Sequence, residues 1–280
     1  MTDHHTSDVS RFAVPPSRRR GAAVVAAVLA GCPPLLFGGL IFSDSFDGSG
    51  GVPDGWAQGS FSDMRAGTGI TEGSGTVSIT DLRADPEGGN GPTGMTTTSS
   101  FDPFPAGATS ATFTVDIAGM SSTGASTPET IFVLGGNYGL FFRLNEADDQ
   151  LFIRGLDPTF TTMDAPSSPY AFPYAGEAVS FVTTLDADSF RVTSSLNSLD
   201  TGDITYASIG FAGFDDITDM SPSSITLIAE ADGGNGTTTV NFDRVSYSAD
   251  VAAAVPEASA PAIFALGAAG ILLHRRRRRA

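Results

Sequence analysis

Between Ser43 and Ala254 the chain carries 28 aspartates and glutamates and six arginines, with no histidine, cysteine or lysine. That inventory removes several chemistries at once. There is no Ser-His-Asp or Cys-His nucleophile, no imidazole or thiolate zinc site, no Schiff base and no phosphate-loop lysine. Carboxylates can still hold a hard cation through oxygen ligands or bond sugar hydroxyls. In pairs about 5–9.5 Å apart they can also cleave a glycosidic bond.

Three sets of residues follow from those options. Asp44, Asp47 and Asp243 come together if the first and last strands pair, and an all-oxygen set of that kind suits a structural calcium ion. Asp215, Asp216 and Asp219 form a second acidic loop without a complete calcium-loop spacing, and read as surface turn residues. For glycan contact an aromatic ring is the usual platform. The candidates are Trp56, which also reads as a packing residue beside the first strand, and Tyr170 and Tyr174 on a long loop. Asn137, Asn145 and Asn235 are candidate amides. The glutamates Glu72, Glu87, Glu129, Glu146, Glu177 and Glu230 read as isolated and mostly in turns, so no strand-borne acid pair is visible.

The elements that must position these residues are strands. Thr76 to Thr80, Ala111 to Ile117, Ser224 to Ile228 and Thr239 to Tyr247 alternate polar and apolar residues with a period of two. Clusters such as GSGGVPDG at 48–55 and DGGNG at 232–236 separate them. The apolar runs IFVLGG at 131–136 and YGLFFRL at 138–144 suggest a buried hairpin, with LFIRG at 151–155 pairing next. No helical period persists for three turns. About a dozen strands in one domain, residues 43–250, suggest an all-β antiparallel β-sandwich of jelly-roll type. The stretch 156–176 is the longest irregular piece, where sandwiches often carry function.

The ends have a different character. Residues 1–42 form a signal region: Arg18, Arg19 and Arg20 precede an apolar stretch from Gly21 to Gly31. Leu29 to Cys32 is similar to a lipobox, which makes Cys32 a candidate for lipidation; ordinary cleavage before Ser43 is the alternative. Residues 251–280 form the second end. Pro261 to Leu273 is apolar, and counted from Ala258 to His274 it reaches the lower limit of a membrane-spanning helix, about 17–25 residues. Arg275, Arg276, Arg277, Arg278 and Arg279 then act as a stop on the cytoplasmic side. The middle, with a net charge of −22 from the residues counted above, repels nucleic acid and reads as the exported part.

Val255-Pro256-Glu257, a short apolar helix and a terminal arginine cluster together resemble the PEP-CTERM sorting signal. The resemblance covers the last 26 or so residues and departs from the family at Ala258, where a second proline is common. It implies export machinery and an exosortase-like membrane protease as partners, with processing near Pro256-Glu257. The opening FSDSFDGSGGVPDGW and closing VNFDRVSYSA resemble those of concanavalin-A-like and laminin-G-like sandwiches, and imply that architecture. Laminarinase-like enzymes of this architecture use a strand-borne E-x-D-x-x-E, which this chain lacks. The reading is therefore an exported protein of the cell envelope, surface or extracellular matrix. It is sorted and anchored in the membrane through its C-terminal segment, and it binds polysaccharide or serves structurally without enzymatic activity. The alternative is a secreted polysaccharide-degrading hydrolase or lyase.

Overall fold

The computed structural model describes residues 36–59, 69–83, 92–209, 211–232 and 235–252. Cys32, Val255, Pro256, Glu257, the apolar tail and Arg275 to Arg279 lie outside these residues. Among the described residues no helix is long and apolar enough to cross a membrane.

Alternation of side chains sets the layers. In strand β6 (Ala108–Gly124), Ala111, Phe113, Val115 and Ile117 are buried, while Thr112, Thr114 and Asp116 turn outward. The first sheet runs β14 (Ile204–Thr205), β13 (Ser189–Ser194), β12 (Val179–Leu185), β6, β16 (Gly236–Ala252), β4 (Thr76–Arg83), β3 (Gly69–Gly73). Strand β1 (Leu36–Asp44) adds to β16. The second sheet runs β10 (Thr162–Asp164), β9 (Gln150–Leu156), β8 (Gly139–Asn145), β7 (Thr127–Gly135), β15 (Ser224–Asp232), β5 (Thr93–Thr97), β2 (Trp56–Gln58). Strand β11 (Tyr170–Ala171) adds to β9. The neighbouring strands pair antiparallel throughout, and the expected hairpin over 131–144 is β7–β8. There are sixteen strands among the described residues rather than a dozen. Several of the additions, β2, β10, β11 and β14, are two or three residues long, too short to leave a period in the sequence.

Rings join the two sheets. Phe132 and Phe142 stack with centroids 4.8 Å apart. Phe113 from the first sheet lies 6.4 Å from both, and Phe181 lies 5.5 Å from Phe132. Near one end Asp81 of the first sheet accepts bonds from two residues of the second: Thr93 Oγ1 at 2.9 Å and the Ala231 amide at 3.0 Å. A buried carboxylate needs such donors to stay inside.

One edge of β16 is shared. Strand β4 covers Gly236 to Phe242, and β1 covers Val245 to Ala252. The register shifts between them, so that Asp243 and Arg244 both face outward while Phe242 and Val245 stay buried. Leu36 pairs with Ala252, so the chain enters and leaves the sandwich at one place. The sandwich thus starts at Leu36 rather than Ser43, and what read as the end of the signal region is a strand. Ile41 and Phe42 of that strand pack against the core.

Candidate functional site

Most strands here are apolar on one face. Strand β7 is an exception, with Phe132 and Leu134 in the core and Ile131, only 6% exposed, on the other side. Its neighbour β15 repeats this with Leu227 inside and Thr226 and Ile228 outside, both largely covered. A second apolar face on two central strands makes the floor of a cleft of about 940 Å³. Across the sheet its lining runs from Ala57, Gln58 and Gly59 at β2 to Thr162 at β10, with Val133 and Phe141 on the floor and Phe160 at the lip. At 4.7–4.9 Å per strand the span is roughly 28 Å. Glycine at position 94 lets β5 pack closely against β15, because a Cβ there would meet the Leu227 carbonyl oxygen at 2.7 Å and Ile228 Cγ1 at 2.8 Å.

Among the described residues no ionisable side chain lines this cleft. Its polar groups are hydroxyls and one amide. Thr96 Oγ1 and Thr226 Oγ1 share a hydrogen bond of 2.9 Å, and Ser224 Oγ donates to the Gly135 carbonyl at 3.1 Å. The Gln58 Nε2 is buried without a partner among the described residues. A buried donor left unpaired is costly, and a ligand oxygen placed there would relieve it.

The charged groups lie on the same outer face, beyond Ile131 and Ile228. Strand alternation puts Glu129 two residues past Ile131, and Glu230 two residues past Ile228. The register sets Glu129 and Glu230 directly opposite one another. Both glutamates were expected to be isolated, mostly in turns; instead they are a cross-strand pair. The separation comes from sequence distance: residues 101 apart are joined only by the β7–β15 register. Glu129 is fully buried. The Arg143 guanidinium forks onto it, with Nε at 2.7 Å, and Asn145 Nδ2 donates to it as well. Arg143 also lies over the Phe152 ring at 5.6 Å, and Arg154 lies over the same ring at 4.9 Å while binding Asp164 at 2.6 Å.

The expected sites fare differently. The first and last strands do pair, and Asp44, Asp47 and Asp243 each have local surroundings of their own. Asp44 accepts the Trp56 indole N–H at 2.7 Å and the Phe46 amide at 2.8 Å, Asp47 accepts Ser45 Oγ at 2.6 Å, and Asp243 sits on the bulge of β16. Burial first and then the neighbouring Asp116 raise the Asp243 pKa. Among the described residues no cluster of three His, Cys, Asp or Glu could hold a metal ion. Trp56 is 5% exposed and packs edge-on against Phe42, so it is a core residue and not a sugar platform. Tyr174 is buried with its hydroxyl on the Glu177 carbonyl, and its phenol pKa is raised by burial first and then by Glu177 and Glu146. Tyr170 is half-buried against the core in β11. Neither tyrosine lines the cleft, and neither do Asn137 and Asn145. Asp216 and Asp219 cap the short turn at Ile217–Met220 and also bond its backbone, as surface acids do.

No family model and no curated relative matches this chain. Solved structures do. An endo-1,3-beta-glucanase from Streptomyces sioyaensis superposes with a TM-score of 0.53 at 14% identity, over 79% of this chain and 99% of that one. The laminarinase from Rhodothermus marinus gives 0.53 at 12% identity, over 78% and 99%. A CBM2 module from the evolved Dit of Lactobacillus casei BL23 phage J-1 gives 0.52 at 13% identity, over 76% and 97%. The chain has the fold of these proteins: an all-β antiparallel jelly-roll sandwich.

Proposed function

We propose that this is an exported protein that acts on polysaccharide through the cleft of the second sheet. One observation carries the reading. A long cleft crosses the whole sheet, with an apolar floor, hydroxyls in its middle and an unpaired amide donor in one wall. That combination suits a polymer of rings with C–H faces and hydroxyl edges better than a small charged substrate. The likeness to glucanases supports a polysaccharide role over a purely structural one.

Turnover is the form of this reading that the likeness favours, and the chain offers one place for it. Glu230 and Glu129 oppose each other across β15 and β7, where cross-strand partners hold their Cβ atoms about 4.5–5.5 Å apart and two carboxyl groups can be brought to a similar spacing. A retaining glycosidase needs about 5–5.5 Å between its carboxylates. Binding without turnover is the second reading. It is favoured by the closure of Glu129 under Arg143 and Asn145 and by the absence of carboxylates from the cleft lining among the described residues. Incubating the full-length chain with a soluble β-1,3-glucan and following reducing ends separates the two. Hydrolysis gives oligosaccharides and loses them in Glu230→Gln, whereas binding alone gives retention and no product.

Export and sorting belong to the same proposal. Val255, Pro256, Glu257 and the Arg275–Arg279 block are its sorting signal, and an exosortase-like protease its processing partner. The pairing of Leu36 with Ala252 supports this, because it brings the first and last residues of the described sandwich side by side. Mass spectrometry of the secreted form tests it. A new C-terminus near Glu257 is the expected product, and an intact tail on the secreted protein would overturn it.

A further inference from the structure

The Phe160 ring is not held by core packing. It is 77% exposed, the most exposed large apolar side chain among the described residues, and it stands at the lip of the cleft. Its φ is +62°, a left-handed conformation that bulky residues rarely adopt and that a glycine or asparagine would take with less strain. Phe46 has a similar φ of +51°, but that ring is completely buried beside Trp56, so core packing holds it. Phe160 has no such packing. The backbone around it is fixed instead by Asp157, whose Oδ1 accepts the amides of Thr159 and Thr161 and the Thr159 hydroxyl at 2.8–2.9 Å. The Phe160 amide itself donates to the Asp157 carbonyl at 2.9 Å.

Strain that packing does not explain collects where a ligand is held. We propose that Phe160 is a specificity-determining ring platform at the cleft mouth. It stacks on the C–H face of a gluco-configured pyranose, while Gln58 in the opposite wall donates to an oxygen further along the same polymer. The inference rests on the polysaccharide reading above. The geometry favours a sugar over an apolar peptide because the cleft pairs an exposed ring with a buried, unpaired amide donor. Equatorial hydroxyls leave both ring faces to C–H groups, which an aromatic face accepts; an axial hydroxyl spoils one face.

The test titrates the full-length chain with a soluble β-1,3-glucan and compares Phe160→Ala, Phe160→Trp and Phe160→Asn. The expected result is a loss of about tenfold in affinity for Ala and Asn, as for truncation of an aromatic anchor, with Trp close to wild type. Asn should at the same time raise Tm by about 2–4 °C, because it removes strain. Wild-type affinity in Phe160→Ala overturns the platform and leaves the polysaccharide reading standing. Absence of binding by the wild-type chain overturns both. A fall of Tm in Phe160→Asn assigns Phe160 a structural role instead.

Discussion

Glu129 shows how one residue can be decided by its neighbours. A carboxylate with no solvent exposure survives in its charged form only with donors around it, and Arg143 and Asn145 supply them. Arg143 keeps 26% exposure, so the pair is neither a surface nor a fully buried one. Glu129→Leu is expected to cost about 2 kcal/mol, between the small value of exposed pairs and the larger one of broken buried pairs. The double variant Glu129→Leu, Arg143→Met should recover part of that loss in a denaturation curve, since no charge is then left behind. Glu146 behaves in the opposite way. Burial first, then Glu177 and Asp149, raise its pKa above 4.5. A raised carboxyl favours the folded state below its unfolded pKa and loses that contribution as pH rises through the folded value. Glu146→Gln should therefore raise Tm slightly at pH 7 and make no gain near pH 4; equal Tm shifts at both values would contradict the assignment. Neither role was legible in the sequence, where all six glutamates look alike. Phe160 is equally hidden: it lies in the irregular stretch 156–176, where the two tyrosines carry the stronger sequence signal for a ring platform. Only its φ and its exposure distinguish it.

At the scale of elements the sequence was more informative. Period-two runs marked β4, β6, β15 and β16, and the apolar hairpin is β7–β8. The continuous apolar run at 131–134 carried a further signal: a strand apolar on both faces must be covered twice or floor a cleft. Strand β1 was misread because LLFGGLIF continues the apolar character of the signal region before it. Its strand nature comes from the ladder with β16, a contact with no local signature. The boundary is testable. A fragment of residues 36–252 should unfold cooperatively, while one beginning at Ser43 loses most of β1, exposes an edge of the long central strand β16 and should unfold at a lower denaturant midpoint or aggregate. Equal stability of the two fragments would make β1 dispensable.

For the molecule as a whole, two faces of one sandwich divide the work. One edge of the first sheet brings Leu36 beside Ala252, and the outer face of the second sheet carries the cleft. The architecture could be read from patterning, because a two-layer sandwich follows from alternation alone. The cleft could not, because it depends on which strands become neighbours: β7 meets β15 from far along the chain, and β2 meets β5 through a three-residue pairing. The proposed polysaccharide role rests on that cleft, so the decisive measurement fills it. Val133 lies half-buried on the floor, and Trp at this position keeps strand propensity while occupying the space. Titration of soluble β-1,3-glucan into the full-length chain and into Val133→Trp, with Tm recorded for both, should give saturable binding that the substitution abolishes without loss of the fold. Undiminished binding in Val133→Trp, or none in the wild-type chain, would contradict the account.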